Sequence, residues 1–500
     1  MYNTQDIKEN ILLKLSPFVK KLAREYNLSD ECAMALMKIS DEKKQSEVAR
    51  DINLNNLDIQ QTHNLIDSML ENETVFDIKE KLSGGFFDEQ LAYLYSCKKD
   101  ETKKYADRYL AVIDGLESTF GEADEIALFS APGRTEIGGN HTDHQHGCVL
   151  AGSVNLDVIA AVKLNGTNQV RVKSEGYDTV IIDLDDLEIN KEQYGQTISL
   201  IKGVLKKFSD KGVKLCGFDA YAVSNVLKGS GLSSSAAFEI LVATIANEMF
   251  ADGEVSNVEL AQIGQFAENV YFGKPSGLLD QMASSVGSVV AVDFKDNTKP
   301  VIKKVELDLN KYGYALCVVD SGADHADLTH EYAAITVEMK LVAQYFGKEF
   351  LREVDGKEFM AHIKEVRAAV NNDRAILRAM HFFNENQRAQ DEAKALEENN
   401  FDEFLRLNKE SGRSSYMYLQ NVYAASMPQA QAVSLALAMC DEILGERGSY
   451  RVHGGGFAGT VQAFVPFDML DEFKNRIEAV FGERMCHVLS IRPVGGYVLK

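Results

Sequence analysis

The chain has 500 residues, with 53 Lys plus Arg against 75 Asp plus Glu, a net charge of −22 and 45% hydrophobic residues. This balance is ordinary for a folded chain of about three domains; it excludes a disordered tail, and the acid excess speaks against a nucleic-acid partner because it repels a phosphate backbone. Seven cysteines (Cys32, Cys97, Cys148, Cys216, Cys317, Cys440, Cys486) make no Cys-x-x-Cys pair, no leader pattern opens the chain and no stretch approaches a membrane span, so reduced thiols in a cytoplasmic, non-membrane protein are expected.

The first glycine is Gly84, and Pro17 is the one proline before it. Such a stretch should be helical, and Ile7, Ile11, Leu12, Leu15, Phe18 and Val19 recur at helical spacing, as do Leu65, Ile66, Met69 and Leu70. Residues 1–83 read as a helical module that is ended by Gly84-Gly85 and could offer a protein contact or an oligomer interface, within an extension of 1–104. Tyr109, Leu110, Val112, Ile113 and Leu116 then mark a helix over Tyr105–Phe120. From Ile126 the pattern turns to short β-rich runs (IALFSA, DVIAAVKL, VRVKS, TVIIDL, FDAYAVS), followed by helical patterns at 234–250 and 257–271. That order predicts an α+β domain over 105–295. SVVAVDF, YALCVVD, helices across 325–445, a strand pair around YRVHGGGFAGTVQAFV, a helix and a last strand HVLSIRP predict a second α+β domain over 296–500.

Three glycine-rich segments stand out. Gly229-Ser230-Gly231-Leu232-Ser233-Ser234-Ser235 lies between a strand and an apolar helix, where free N–H groups and the helix dipole favour a phosphate; it lacks the lysine of a P-loop, and a serine cap after a flexible turn is the plainer alternative. Pro132-Gly133-Arg134 through Asn140-His141-Thr142-Asp143-His144 reads as a polar loop after a strand, suited to a polyhydroxy ligand; its histidines have no helical register for zinc. His453-Gly454-Gly455-Gly456-Phe457-Ala458-Gly459 contains G-x-G-x-x-G, yet strand patterns flank it on both sides, which fits a tight hairpin and not a dinucleotide site. Glu268 and Asp280 are two carboxylates near glycine turns that could serve as metal ligand and catalytic base.

In this order the three segments resemble the signature motifs of the GHMP small-molecule kinases, and the Arg134–Asp143 segment is most similar to galactokinases. The likeness runs from about Tyr105 to Lys500. It implies a two-domain α+β fold, the first domain related to ribosomal protein S5 domain 2, with the active site between the domains. It further implies that Gly229, Ser230, Gly231, Leu232, Ser233, Ser234 and Ser235 cradle ATP, with Gly455 and Gly456 beside substrate and phosphates. Ser235 and Glu268 would hold Mg²⁺, Asp280 and Arg134 would form the catalytic pair, and Asn140, His141, Asp143 and Tyr332 would meet the sugar. The implied reaction is transfer of the ATP γ-phosphoryl group to a sugar C1 hydroxyl.

One departure bears on the sugar. Galactokinases usually have Gly-Glu-His-Thr-Asp-Tyr where this chain has Gly139-Asn140-His141-Thr142-Asp143-His144, so Asn140 replaces a glutamate that contacts the C6 hydroxyl. Galactose is the first expectation. A C6-carboxylate sugar is the enzymatic alternative, since Asp143-His144-Gln145 also resembles galacturonokinase, and a non-catalytic sugar sensor is the alternative of another class.

Overall fold

The computed structural model describes residues 16–39, 42–55, 57–70, 74–227, 231–274, 276–296, 299–322 and 328–500. Ile7, Ile11, Leu12, Leu15, Gly229 and Ser230 lie outside the described residues. The chain divides into two compact units, Met1–Phe87 with Glu122–Ile126, and Asp88–Gly121 with Ala127–Lys500.

The first unit holds helices α1 (Pro17–Glu25), α2 (Asp30–Leu36), α3 (Glu42–Asn55), α4 (Ile59–Leu70) and α5 (Val75–Ser83), of which α1, α2 and α5 begin at side-chain caps. Ser16 accepts from Val19 N and Ser29 from Cys32 N, each at 3.1 Å, Pro17 takes the first helical position, and Thr74 and Asp77 cap α5 reciprocally. Val19, Leu22, Ala33, Leu36, Val48, Ile52 and Ile66 close a small core. Gly84 ends α5, and Gly85 turns the chain at φ +76°.

The second unit starts at Asp88, ahead of the boundary expected at 105. Helices α6 (Asp88–Tyr95) and α7 (Lys103–Phe120) are fastened to it by the buried carboxylate of Asp157, which accepts from Tyr95 Oη at 2.6 Å, Arg108 Nη1 at 2.8 Å, Ser130 Oγ at 2.5 Å and Arg492 Nη1 at 3.2 Å. These donors outweigh the effect of burial and hold Asp157 below the usual carboxylate range.

An eight-stranded sheet forms the base of this unit. Strands β1 (Ala127–Gly138), β2 (Cys148–Leu164), β3 (Gln169–Ser174), β4 (Val180–Asp183), β5 (Phe218–Ser224), β6 (Val289–Asp293), β7 (Val301–Val305) and a final β12 (Tyr497–Leu499) are ordered β12-β1-β2-β5-β3-β4, with β6 on β2 and β7 on β6. β2 is long enough to serve two neighbours: Val158–Leu164 pairs with β5 and Cys148–Gly152 with β6. Helices α8 (Thr197–Asp210), α9 (Ser234–Phe250), α10 (Asn257–Phe266) and α11 (Leu279–Val286) contribute to its cores. α9 is apolar almost all round, as AAFEILVATIA dictates, and is buried accordingly.

A second sheet of β8 (Tyr314–Asp320), β9 (Ser449–His453), β10 (Thr460–Pro466) and β11 (Cys486–Leu489) is antiparallel in the order β11-β8-β10-β9. Helix α12 (Thr329–Tyr345), α13 (Asp373–Glu397) and α14 (Phe401–Ser414) precede α15 (Ala432–Leu444) and α16 (Leu470–Phe481), of which the last two cover this sheet.

The structure differs from the sequence reading in three further places. Residues 132–138, read as loop, continue β1, with register shifts between Pro132 and Arg134 and between Glu136 and Gly138 that leave polar side chains beside buried Ile137. The helix expected through 271 stops at Phe266 and continues as a π-helical turn, Ala267–Phe272. β7 and β12 join the first sheet although both lie beyond residue 295. No helix among the described residues is long and apolar enough to cross a membrane, and all seven cysteines are free thiols.

Candidate active site

The serine-rich segment turns sharply into α9. Gly231 has φ +71° and Ser233, a non-glycine residue, has φ +54°. That left-handed turn costs roughly 1 kcal/mol and is held in place: Leu232 O accepts from Arg134 N at 2.9 Å, and Gly231 O accepts from Arg134 Nη1. It carries the Ser233 hydroxyl onto Asp280 Oδ2 at 2.7 Å, while Arg134 Nε donates to Asp280 Oδ1 at 2.7 Å. Both carboxylate oxygens are therefore fixed. Burial would raise the Asp280 pKa, but the Arg134 charge and the two hydrogen bonds reverse this, and the carboxyl lies below its ordinary range. Its side chain still keeps 34% exposure. A ligand can reach it.

Ser234 and Ser235 open α9 and also line one end of a cavity of about 730 Å³ whose other walls include Tyr177, Val180, Leu200, Phe238 and Phe272. An apolar recess that ends at a helix N-terminus suits a flat base carrying phosphates. Ser235 Oγ stands 3.5 Å from Glu268 Oε1. Glu268 sits in the π-helical turn, a local break that sends its side chain inward; Ser276 Oγ at 2.6 Å and Gln281 Nε2 at 2.8 Å bind Oε2, leaving Oε1 toward the serine. Lys274 Nζ reaches the same Oε1 at 2.8 Å. The carboxylate thus already takes a cation at that oxygen, and with a hydroxyl beside it the donor set fits Mg²⁺.

A polar wall forms the other side of the site. His141, at φ +57°, sets its Nε2 2.9 Å from Gly455 O. A carbonyl can only accept, so Nε2 is the donor in this contact. Tyr332 Oη donates to Gly456 O at 2.8 Å. Asp143 is raised chiefly by burial, and a Cβ on Gly277 would stand 3.3 Å from its Oδ2, so its carboxylate faces the turn that leads to Asp280.

One expectation is corrected by this geometry. Asn140 does not face the site: it is fully buried, its amide donates to Glu136 Oε1 at 2.9 Å and Gly454 O at 2.8 Å, and its oxygen accepts from Asn421 Nδ2 at 2.9 Å and Ser415 Oγ at 3.2 Å. Four bonds exhaust the amide. Gly455 and Gly456, expected beside substrate and phosphates, pack against this polar wall, where added Cβ atoms would meet the Tyr332 ring at 2.5 Å and Asn421 O at 2.0 Å. The groups from this hairpin that abut Gly231 are His453, 3.2 Å from a Cβ there, and Thr460, 3.7 Å from it.

Several residues of the site were not picked out from sequence. Glu385 on α13 accepts from Gly139 N at 3.2 Å, Asn140 N at 3.4 Å and Ser411 Oγ at 2.5 Å, and is pushed down to about 2: burial opposes this, but the nearby His381 and Arg388 outweigh it. His381 Nε2 donates to Asn140 O at 2.9 Å, and burial drives that ring down to about 4. Both lie over 240 positions from the loop they support. Gln281 and Ser276 could have been suspected from their place in the Asp280 segment, though nothing local says that they bind Glu268.

Family models match this chain in three stretches: the GHMP kinases N terminal domain over residues 199–288, the galactokinase galactose-binding signature over 116–164, and the ParB HTH domain over 7–71. The last supplies a likeness for the helical module, which the sequence reading had left without one. Among curated proteins, a galactokinase of Clostridium tetani is 29% identical over 72% of this chain and 88% of its own length, and one of Glaesserella parasuis is 28% identical over 72% and 91%. The solved Lactococcus lactis galactokinase, complexed with galactose, superposes with a TM-score of 0.65 at 24% identity, covering 78% of this chain and 99% of that one. A mevalonate kinase superposes with a TM-score of 0.52 at 14% identity, covering 73% and 99%. The fold is that of the GHMP kinases.

Proposed function

We propose that this chain, a sugar kinase with GHMP fold and galactokinase signatures, transfers the γ-phosphoryl group of ATP to the C1 hydroxyl of a hexose, galactose first. The observation that carries the reading is the clamp of Arg134 and Ser233 on Asp280, set between the N-terminus of α9 and the His141–Tyr332 wall. An anion site and a polyol wall thus meet at one ionised carboxylate.

In this reading the base of ATP occupies the cavity beside Phe238, and its phosphates lie over the first turn of α9, whose free N–H groups and dipole stabilise anionic oxygen. Mg²⁺, held by Ser235 and Glu268, would supply charge neutralisation at the phosphates. Asp280 accepts the hydrogen of the C1 hydroxyl and fixes its direction. A carboxylate below its ordinary range is a weak base, so the proton moves to it only as the new P–O bond forms, in keeping with a loose phosphoryl-transfer transition state. Arg134 keeps Asp280 ionised and balances negative charge developing in transfer. Every residue named in this chemistry lies at or beyond Arg134, so the reading calls on no group from the N-terminal helices. Free thiols, most of them buried, suit a reducing compartment such as the cytoplasm.

Coupled ADP release measured with galactose, galacturonate, glucose and arabinose tests the proposal. Galactose should give the highest kcat/KM. Binding of sugar and ATP without ADP formation would instead establish a sensor.

A further inference from the structure

The position that carries the usual galactokinase glutamate holds Asn140, and its amide has no hydrogen-bonding capacity left for a ligand. The nearest carboxylate is the one that this amide binds. Glu136 lies on β1 two residues beyond Arg134, about 7 Å along the strand, a distance comparable to a pyranose ring with its substituents. Arg451 Nη2 at 2.8 Å and Asn140 Nδ2 at 2.9 Å both bond its Oε1, and Oε2 accepts neither. Arg451 is sealed in the core, whereas the Glu136 side chain keeps 14% exposure. Asn140 also bonds Gly454 O, and the adjoining carbonyls of Gly455 and Gly456 bind His141 and Tyr332, so Glu136 belongs to the same wall as those two side chains. The carboxylate bonded to this wall is therefore supplied from position 136 and not 140, with Oε1 fixed by two bonds and Oε2 outside both.

Resting on the kinase reading above, we infer that Glu136 is a specificity-determining residue whose Oε2 accepts a hydrogen bond from the C6 hydroxyl of the sugar, so that the enzyme selects a neutral hexose and rejects a hexuronate. A hydroxyl donates to this oxygen. A substrate carboxylate has no proton to give and meets a like charge in a partly dry site. Arg451 and Asn140 act through Glu136 as positioning residues.

The experiment compares galactose, 6-deoxygalactose and galacturonate, by calorimetric binding and by kcat and KM, in the full-length wild type, Glu136→Gln and Glu136→Asp. The aspartate keeps a negative charge at position 136 beside Arg451, whereas the glutamine keeps the side-chain length and removes the charge. Removal of a hydrogen bond to a charged acceptor should weaken wild-type binding of 6-deoxygalactose about 10- to 100-fold relative to galactose, and galacturonate should bind more weakly still. Glu136→Gln should bring the three sugars within about fivefold of one another with nucleotide affinity kept, and Glu136→Asp should still reject galacturonate by at least about tenfold relative to galactose, because the like charge remains. Equal wild-type affinity for galactose and 6-deoxygalactose overturns the inference, as does undiminished discrimination in Glu136→Gln. If Glu136→Gln loses nucleotide binding through misfolding, Glu136→Asp decides: retained rejection of galacturonate supports the inference and its loss overturns it. A wild type that binds ATP yet phosphorylates no hexose defeats the kinase reading itself, a result distinct from phosphorylation of galactose without dependence on Glu136.

Discussion

Replacing Asp280 by Asn keeps the outline of the side chain while removing the proton acceptor. The amide oxygen can still accept from Arg134 Nε, now at 2.7 Å, and the Ser233 hydroxyl, which donates to Oδ2 at 2.7 Å, can rotate to accept from the new N–H. Both partners stay satisfied, so the fold should lose only the charge assistance of those bonds, about 1 kcal/mol. Truncation to Ala would strand the Arg134 guanidinium, at a cost of about 3 kcal/mol. The chemistry fares differently, because an amide cannot take the C1 proton; the expected loss in kcat is about 10²- to 10⁴-fold, or roughly 3–5 kcal/mol of transition-state stabilisation. Arg134, no longer neutralised, should leave ATP affinity equal or higher. Coupled ADP release, calorimetry with galactose and thermal denaturation on one preparation separate these effects. A kcat within tenfold of wild type, with melting temperature and galactose affinity preserved, would show that the proton leaves by another route.

Three further outcomes are expected. Glu268→Gln must keep its oxygen toward Ser276 and Gln281, which turns its NH₂ toward Ser235, so the Mg²⁺ concentration for half-maximal rate should rise at least about tenfold, whereas loss of the bond to Lys274, 60% exposed, should barely affect stability; an unchanged Mg²⁺ titration would place the ion elsewhere. Asp157→Asn leaves Arg108 and Arg492 facing a neutral amide and should lower the urea-derived unfolding free energy by about 3–5 kcal/mol, against which a loss under 1 kcal/mol would tell. His381, driven down to about 4 by burial, is neutral when folded, and the unfolded ring titrates near 6.5; between those values the unfolded chain binds one more proton, so stability falls with falling pH, by about 2 kcal/mol from pH 7 to pH 5. His381→Gln, whose amide can still donate to Asn140 O and accept from Ser414, should remove that share of the pH dependence, and identical curves for variant and wild type would contradict the assignment.

The segments proposed to carry the chemistry could be picked out because each is a local event. Glycine and serine before an apolar helix mark a turn into a helix N-terminus, and Arg134, Asp280, Ser235 and Glu268 occur in short stretches whose order matches a known set. Element types were legible for the same reason: α9 is a long apolar run, and FDAYAVS and TVQAFV are β-rich runs bounded by turns. Where the chain pairs was not legible. β12 has three residues, too few to show a period, and it joins β1 across more than 350 positions. Asn140 shows the limit most clearly. Its residue type and motif position suggested a group facing the sugar, but its direction is set by Ser415 and Asn421, more than 270 positions away, and by Glu136 and Gly454. The sequence by itself determined which residue types are available to a phosphate, a metal and a sugar, since backbone turns and charge are local properties. Tertiary structure alone decided which of them face the cleft, because a buried amide must satisfy every donor and acceptor it has, and its partners are whatever distant strands and helices the packing of the core brings beside it.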